Sequence, residues 1–332
     1  MTTKSKIQWT DATWNPVRGC SIVSKGCTNC YAMKQAHRFN GPGMAYEGLT
    51  TTTAGGPVWT GKVRLVPELL DVPLRWRKPR RVFVNSMSDL FHESVPDNFI
   101  ADVFGVMAVA GSGQFFGAGG IGRRIGTKYD KGLTNPKPVR AFGVRYGPHK
   151  FQILTKRPLR MNGLLNSYYF RCSVSRAAYR FAHDRVCAGG LADDIDSGGQ
   201  WPLPNVWLGV SVEDQDTADE RIPPLLQTPA TVRFLSCEPL LEDVTIFSLD
   251  GPIDVPDGMR SPLDWVIVGG ESGPGARPCD VAWIRSIVQQ CKATKVSVFV
   301  KQLGARHLKL RDRKGGDPTE WPDDLRVREF PQ

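Results

Sequence analysis

The stretch VWLGVSV (206–212) decides the fold class. Its β-branched and aromatic residues are almost uninterrupted by polar ones, as in a strand of a parallel sheet covered on both faces. Five further runs have the same character: RVFVNSM (81–87), FQILT (151–155), TVRFLSC (231–237), WVIVGG (265–270) and VSVFVKQ (296–302). Helix start signals stand between them. Pro96-Asp97 precedes NFIADVFGVMAVA, Pro158 precedes LRMNGLLNSY, and Asp280 precedes VAWIRSIVQQCKA, in which Ile284, Ile287, Val288 and Cys291 make one apolar stripe. A first strand is expected near residues 14–19. Six or seven strand–helix units predict one α/β domain over residues 1–332, a partial or complete parallel (β/α) barrel, with a doubly wound open sheet as the alternative.

Two stretches interrupt this rhythm. Residues 111–148 are rich in Gly and basic residues where a short connection should stand, and we read them as an insertion. Residues 173–204, ending in SGGQWPLPN, are a candidate second insertion.

The 332 residues are 41% hydrophobic and 23% charged, ordinary for a globular chain, and no apolar run approaches the roughly 20 residues of a membrane-spanning helix. The polar start MTTKSKIQWTDATWNP contains no apolar signal core, so a cytoplasmic location is expected. The formal charge of +10 attracts anionic partners, nucleic acid first among them. Basic residues cluster in RWRKPRR (75–81), KFQILTKRPLR (150–160) and ARHLKLRDRK (305–314).

Three of the eight cysteines fall in GCSIVSKGCTNCYA (19–32). In a reducing compartment, clustered thiols point to metal or redox chemistry rather than to disulfides. Cys20, Cys27 and Cys30 allow three readings: a structural zinc completed by His37 or a distant cysteine, a [4Fe-4S] cluster with one iron left open, or no metal. Gly19 and Gly26 would let the loop wrap tightly.

In parallel α/β folds chemistry gathers at the carboxyl ends of the strands. There the sequence places Asn85, Ser88 and Asp89, then Lys156, then Ser211 and Glu213, then Cys237 and Glu238, then Gly269, Gly270 and Glu271, with Lys301 and Gln302 last. Gly269-Gly270 suits close backbone approach to a ligand, and Glu271 suits acceptance from an amine or a ribose hydroxyl. Cys237 is a candidate hydrogen-atom donor or thiyl relay, and Lys156 and Glu238 are the other candidate catalytic groups.

These blocks carry a resemblance. IQWTDATWNPVRGCSIVSKGCTNCYA, FVNSMSDLFHESVP, FQILTKRP, VWLGVSVE, FLSCEPL, DWVIVGGESGPGARP and VFVKQLG together resemble a phage-associated family of three-cysteine proteins of unassigned activity, and more distantly the radical SAM superfamily. That resemblance implies a barrel of radical SAM type in which Cys20, Cys27 and Cys30 bind a [4Fe-4S] cluster. It further implies S-adenosylmethionine on the open iron, its reductive cleavage to methionine and a 5'-deoxyadenosyl radical, and an electron donor such as flavodoxin or ferredoxin. The spacing here is CX6CX2C rather than CX3CX2C, and the Gly-Gly-Glu triplet, similar to the superfamily's amine-binding one, follows a late strand. Asn85, Ser88, Asp89, Ser211, Glu213, Gly269, Gly270 and Glu271 are the expected cofactor-binding set, and DNA, RNA or a nucleotide is the expected substrate. The rival expectation is a zinc-stabilised nucleic-acid-binding protein without catalysis.

Overall fold

The computed structural model describes residues 5, 7–112, 149–182, 185–247, 251–256, 259–305 and 310–331. Seven strands form one parallel sheet in chain order: β1 (Ala12–Trp14), β6 (Arg81–Val84), β7 (Lys150–Thr155), β8 (Val206–Ser211), β9 (Val232–Cys237), β10 (Trp265–Gly269) and β11 (Ser297–Gln302). The order never reverses, so the sheet has no topological switch point and curls one way into a half-barrel, which sets aside the doubly wound alternative. Four short strands lie outside it: β2 (Val17–Arg18) pairs with β5 (Arg64–Leu65), and β3 (Thr50–Thr53) with β4 (Gly56–Trp59).

Strand alternation separates two cores. The convex face, with Val82, Val84, Phe151, Ile153, Val206, Leu208, Val210, Leu235, Val266 and Val298, is covered by helices and belongs to the large core. The concave face carries Phe83, Trp207, Phe234, Trp265, Ile267 and Phe299, closed by Trp9. This inner layer is filled so tightly that a Cβ on Gly209 would lie 2.5 Å from the Phe234 ring.

The helices are α1 (Tyr31–His37), α2 (Asp97–Gly111), α3 (Pro158–Leu165), α4 (Tyr168–Phe181), α5 (Arg185–Ser197), α6 (Gln215–Leu226) and α7 (Val281–Ala293). The anticipated starts at Asp97, Pro158 and Asp280 are all present, and the Asp280 carboxylate accepts from the Ala282 N–H at 2.8 Å. In α7 the stripe Ile284, Ile287, Val288 and Cys291 is buried, so Cys291 is a core residue. Residues 173–204 hold the end of α4 and all of α5, which places three helices between β7 and β8. Of the stretch 111–148, residues 113–148 lie outside the described residues. Among the described residues, no helix is long and apolar enough to cross a membrane.

Candidate metal and cofactor site

The three-cysteine loop leaves β2 at the carboxyl end of the sheet. Gly19, with φ +88°, bridges to Ser88, and a Cβ there would lie 2.3 Å from the Lys62 carbonyl oxygen, so only glycine makes this exit. The loop then makes a 3-10 turn over Lys25–Cys27, and Cys30 directly precedes α1. A Cβ on Gly26 would meet the Glu213 side chain at 2.4 Å, so the loop rests on the end of β8. Cys20, Cys27 and Cys30 open onto one cavity of about 260 Å³. All three thiols are free.

The three thiols differ in proton affinity. Burial, aided by the Asp89 carboxylate, pushes Cys20 up to about 12, and burial raises Cys30. Burial also acts on Cys27, but the Lys156 ammonium and backbone hydrogen bonds outweigh it and hold that thiol below its ordinary value. Burial lowers Lys156 to about 8 in spite of the neighbouring Cys27. Cys27 is therefore the first of the three to become a thiolate as pH rises. His37, which could have completed a zinc tetrahedron, is engaged through both ring nitrogens, with Thr50 Oγ1 at 3.0 Å and Thr52 Oγ1 at 3.3 Å. Among the described residues, no three His, Cys, Asp or Glu side chains are grouped to hold a single metal ion.

The strand-end residues reach the same cavity in large part. Asn85, Ser88, Asp89, Lys156, Ser211, Glu238, Gly270 and Glu271 line it, together with the three cysteines. Several of them hold the cysteine loop rather than face a ligand freely. Asn85, in the left-handed region at φ 57°, accepts from the Val17 N–H at 3.3 Å, and the Ser88 hydroxyl donates to the Val17 carbonyl at 2.8 Å. Asp89 accepts from Thr155 Oγ1 at 2.8 Å, from the Lys156 N–H at 3.1 Å and from Arg157 at 3.0 Å. Arg157 in turn donates to Ser21 Oγ at 2.6 Å, beside Cys20.

Four expectations need revision. Cys237 is fully buried on the convex face, in the large core, because β9 alternates; Ser236, one residue earlier, is the one that lines the cavity. Burial raises the Cys237 thiol far above its ordinary value, and no route from the cavity to its sulfur supports a role as relay. Glu213 lies beneath the loop, fully buried, closely ion-paired with Lys156 and 3.0 Å from Arg221. It therefore supports the loop from below. Glu271 lines the cavity, but its carboxylate is already engaged: Arg277 donates through its backbone N–H at 2.7 Å and its guanidinium at 2.8 and 3.1 Å, and Asn29 donates at 2.9 Å. Burial would raise this carboxyl, but those donors hold it below the usual range; three of the four bonds fall on Oε2 and one on Oε1, so its first role is to hold the clasp. Gly269 does not line the cavity; a Cβ on it would sit 2.9 Å from the Gln302 carbonyl, so its lack of a side chain serves strand packing.

The family model described as "Protein of unknown function (DUF5131)" matches residues 4–116 and 142–321. The chain belongs to that family. No curated protein and no solved structure matches it. The family match breaks off and resumes within the Gly-rich stretch 111–148, while the cysteine loop and every strand end lie inside it.

Sequence reasoning missed several parts of this DUF5131 site. Asn29, between two of the cysteines, and Arg277 form a clasp with Glu271 that ties the loop after β10 to the cysteine loop, and Arg277 also donates to the Lys25 carbonyl at 2.8 Å. Across the cavity, Lys301 pairs with Glu238 at 2.9 Å. Ser236 and Lys301, both at strand ends in the sequence, face inward by alternation, since each stands two residues beyond an inward aromatic, Phe234 and Phe299. Nothing in the sequence announces the Arg277 clasp. The walls are thus charge-paired, above an apolar floor that includes Trp9, Phe83 and Leu154.

Proposed function

We propose that the chain is a radical SAM-type iron–sulfur enzyme that acts on nucleic acid or a nucleotide. The observation that carries the reading is the convergence of three free thiols from one loop with the polar strand ends of a parallel half-barrel on one cavity. The donor set fits a cluster that takes three thiolates and leaves one iron open. Cys20, Cys27 and Cys30 would hold it. When bound, the [4Fe-4S] cluster and S-adenosylmethionine supply reductive cleavage to methionine and a 5'-deoxyadenosyl radical, with electrons from a flavodoxin- or ferredoxin-type donor. The chain's own work is positional. Asp89 with Arg157, Glu213 with Lys156, and Glu271 with Arg277 fix the loop, while the floor of Trp9 and Phe83 keeps water from below. Ser211, Ser236 and the Glu238–Lys301 pair are the polar walls against which a ligand would orient. Glu271 is not assigned to the amine of S-adenosylmethionine.

The test is anaerobic incubation of reconstituted protein with S-adenosylmethionine and dithionite. Formation of 5'-deoxyadenosine and methionine, absent from Cys27→Ala, is the expected result. Intact S-adenosylmethionine over an assembled cluster would overturn the assignment.

A further inference from the structure

Residues 17–64 contain six basic residues and one acidic residue, half of the chain's formal charge of +10 in a small fraction of its length. They form a lobe with its own core of Ala32, Met33, Ala36, Leu49 and Trp59, packed against Cys20 and Cys30 at the cavity mouth. Of Arg18, Lys25, Lys34, Arg38, Lys62 and Arg64, only Lys25 has a carboxylate partner among the described residues, Asp214 at 3.4 Å. Arg18 and Arg64 stand directly opposite each other in the β2–β5 pair. Like charges in that position destabilise a strand pair, so the fold bears a cost that an anionic partner would relieve.

Apolar groups are interleaved with these cations. Ile22, Val23, Tyr31, Phe39 and Met44 are between 43 and 58% exposed and make up half of the large hydrophobic residues exposed among the described residues. Tyr31 lines the mouth itself, and its hydroxyl donates to the Ser86 carbonyl at 2.6 Å, so an exposed ring is held in place. The cavity behind it has the opposite electrostatic character: Lys156, Arg157 and Lys301 are each ion-paired, with Glu213, Asp89 and Glu238. Uncompensated positive charge therefore lies on the lobe outside the cavity and not inside it.

We infer that this lobe is a docking surface for single-stranded nucleic acid, which holds phosphates on the lobe's cations and stacks a base on the exposed Tyr31 ring at the cavity. Single strands are gripped by this combination of cations and aromatic platforms. A duplex keeps its bases stacked inside and could offer only phosphates to the lobe. An acidic protein would satisfy the cations as well, but only a single strand offers a phosphate and a planar base with every unit, matching cations interleaved with exposed rings. The inference rests on the reading above only in taking the cavity as the place of reaction.

The test is fluorescence anisotropy with labelled single-stranded DNA and RNA oligonucleotides of mixed sequence, over a salt series. A variant with Arg38→Gln, Lys62→Gln and Arg64→Gln is expected to weaken binding at least ~10-fold and to flatten the log–log salt slope by about 2. Tyr31→Leu is expected to weaken binding with the slope unchanged. The control, Arg311→Gln, Arg313→Gln and Lys314→Gln, removes the same charge elsewhere and should bind as the parent does. Equal losses in the two triple variants, equal affinity for duplex, or binding only of an acidic ferredoxin would each overturn the inference. Metal content is measured on the same samples, so strand binding by protein without a cluster would sink the radical reading and leave this one standing, and a cluster without strand binding would do the reverse.

Discussion

The two ends of the half-barrel are built from the same strands on opposite principles. At the closed end the concave face is aromatic: Trp265 contacts Phe234, Trp207, Trp9 and Phe299 at ring-centroid distances of 5.7 to 6.2 Å. Two to four residues further along, the same face becomes Ser211, Ser236, Glu238 and Lys301, with Glu213 and Arg221 fully buried beneath. The closed end holds the sheet by apolar burial. The open end holds one loop by ion pairs and hydrogen bonds, which fix geometry more than they stabilise.

That contrast can be broken in order of expected effect. Trp265→Ala should cost about 3–5 kcal/mol in denaturant unfolding, by lost burial and the cavity left behind, while metal stoichiometry stays unchanged. Loss of metal from the folded variant would show that the two ends are not separable. Glu213→Gln leaves Lys156 and Arg221 without their buried counter-charge and should cost about 3 kcal/mol. Unlike Trp265→Ala, it should also loosen the loop over Gly26, seen as faster alkylation of Cys27 in the metal-free protein.

The third prediction concerns pH and belongs to the amino-terminal edge of β7. Burial lowers His149 from 6.5 to about 4, so the folded state keeps it neutral. Its stabilising contribution is complete above the unfolded pKa and is lost as pH falls from 6.5 toward 4, by about 2 kcal/mol at pH ~5. His149→Phe should remove that part of the pH dependence, measured as urea midpoints at two pH values; an unchanged slope would contradict it. The smallest effect is expected for Arg277→Ala. Its pair with Glu271 is partly open to water, so stability should fall by only about 1 kcal/mol, whereas alkylation of Cys30 should accelerate several-fold.

The six later strands were legible because burial on both faces leaves an unbroken apolar run, as in VWLGVSV. The first was expected near 14–19 and lies at Ala12–Trp14, because Val17 and Arg18 are used to pair with β5. The small lobe was not legible. Its threonine-rich hairpin buries little, and its core forms only around α1. At the site, type was easier to read than direction: Cys237 and Ser236 differ by one position, and one position exchanges the convex face for the cavity. Partnership was harder still, since Arg221 and Arg277 reach back eight and six residues to Glu213 and Glu271 without any periodic signal.

The most direct measurement is the iron, zinc and acid-labile sulfide content of anaerobically reconstituted protein, beside Cys20→Ala, Cys27→Ala and Cys30→Ala. About four irons and four sulfides per chain, lost in each variant, are expected. About one zinc with no sulfide would contradict the cluster reading and leave a structural metal on a non-catalytic, basic domain.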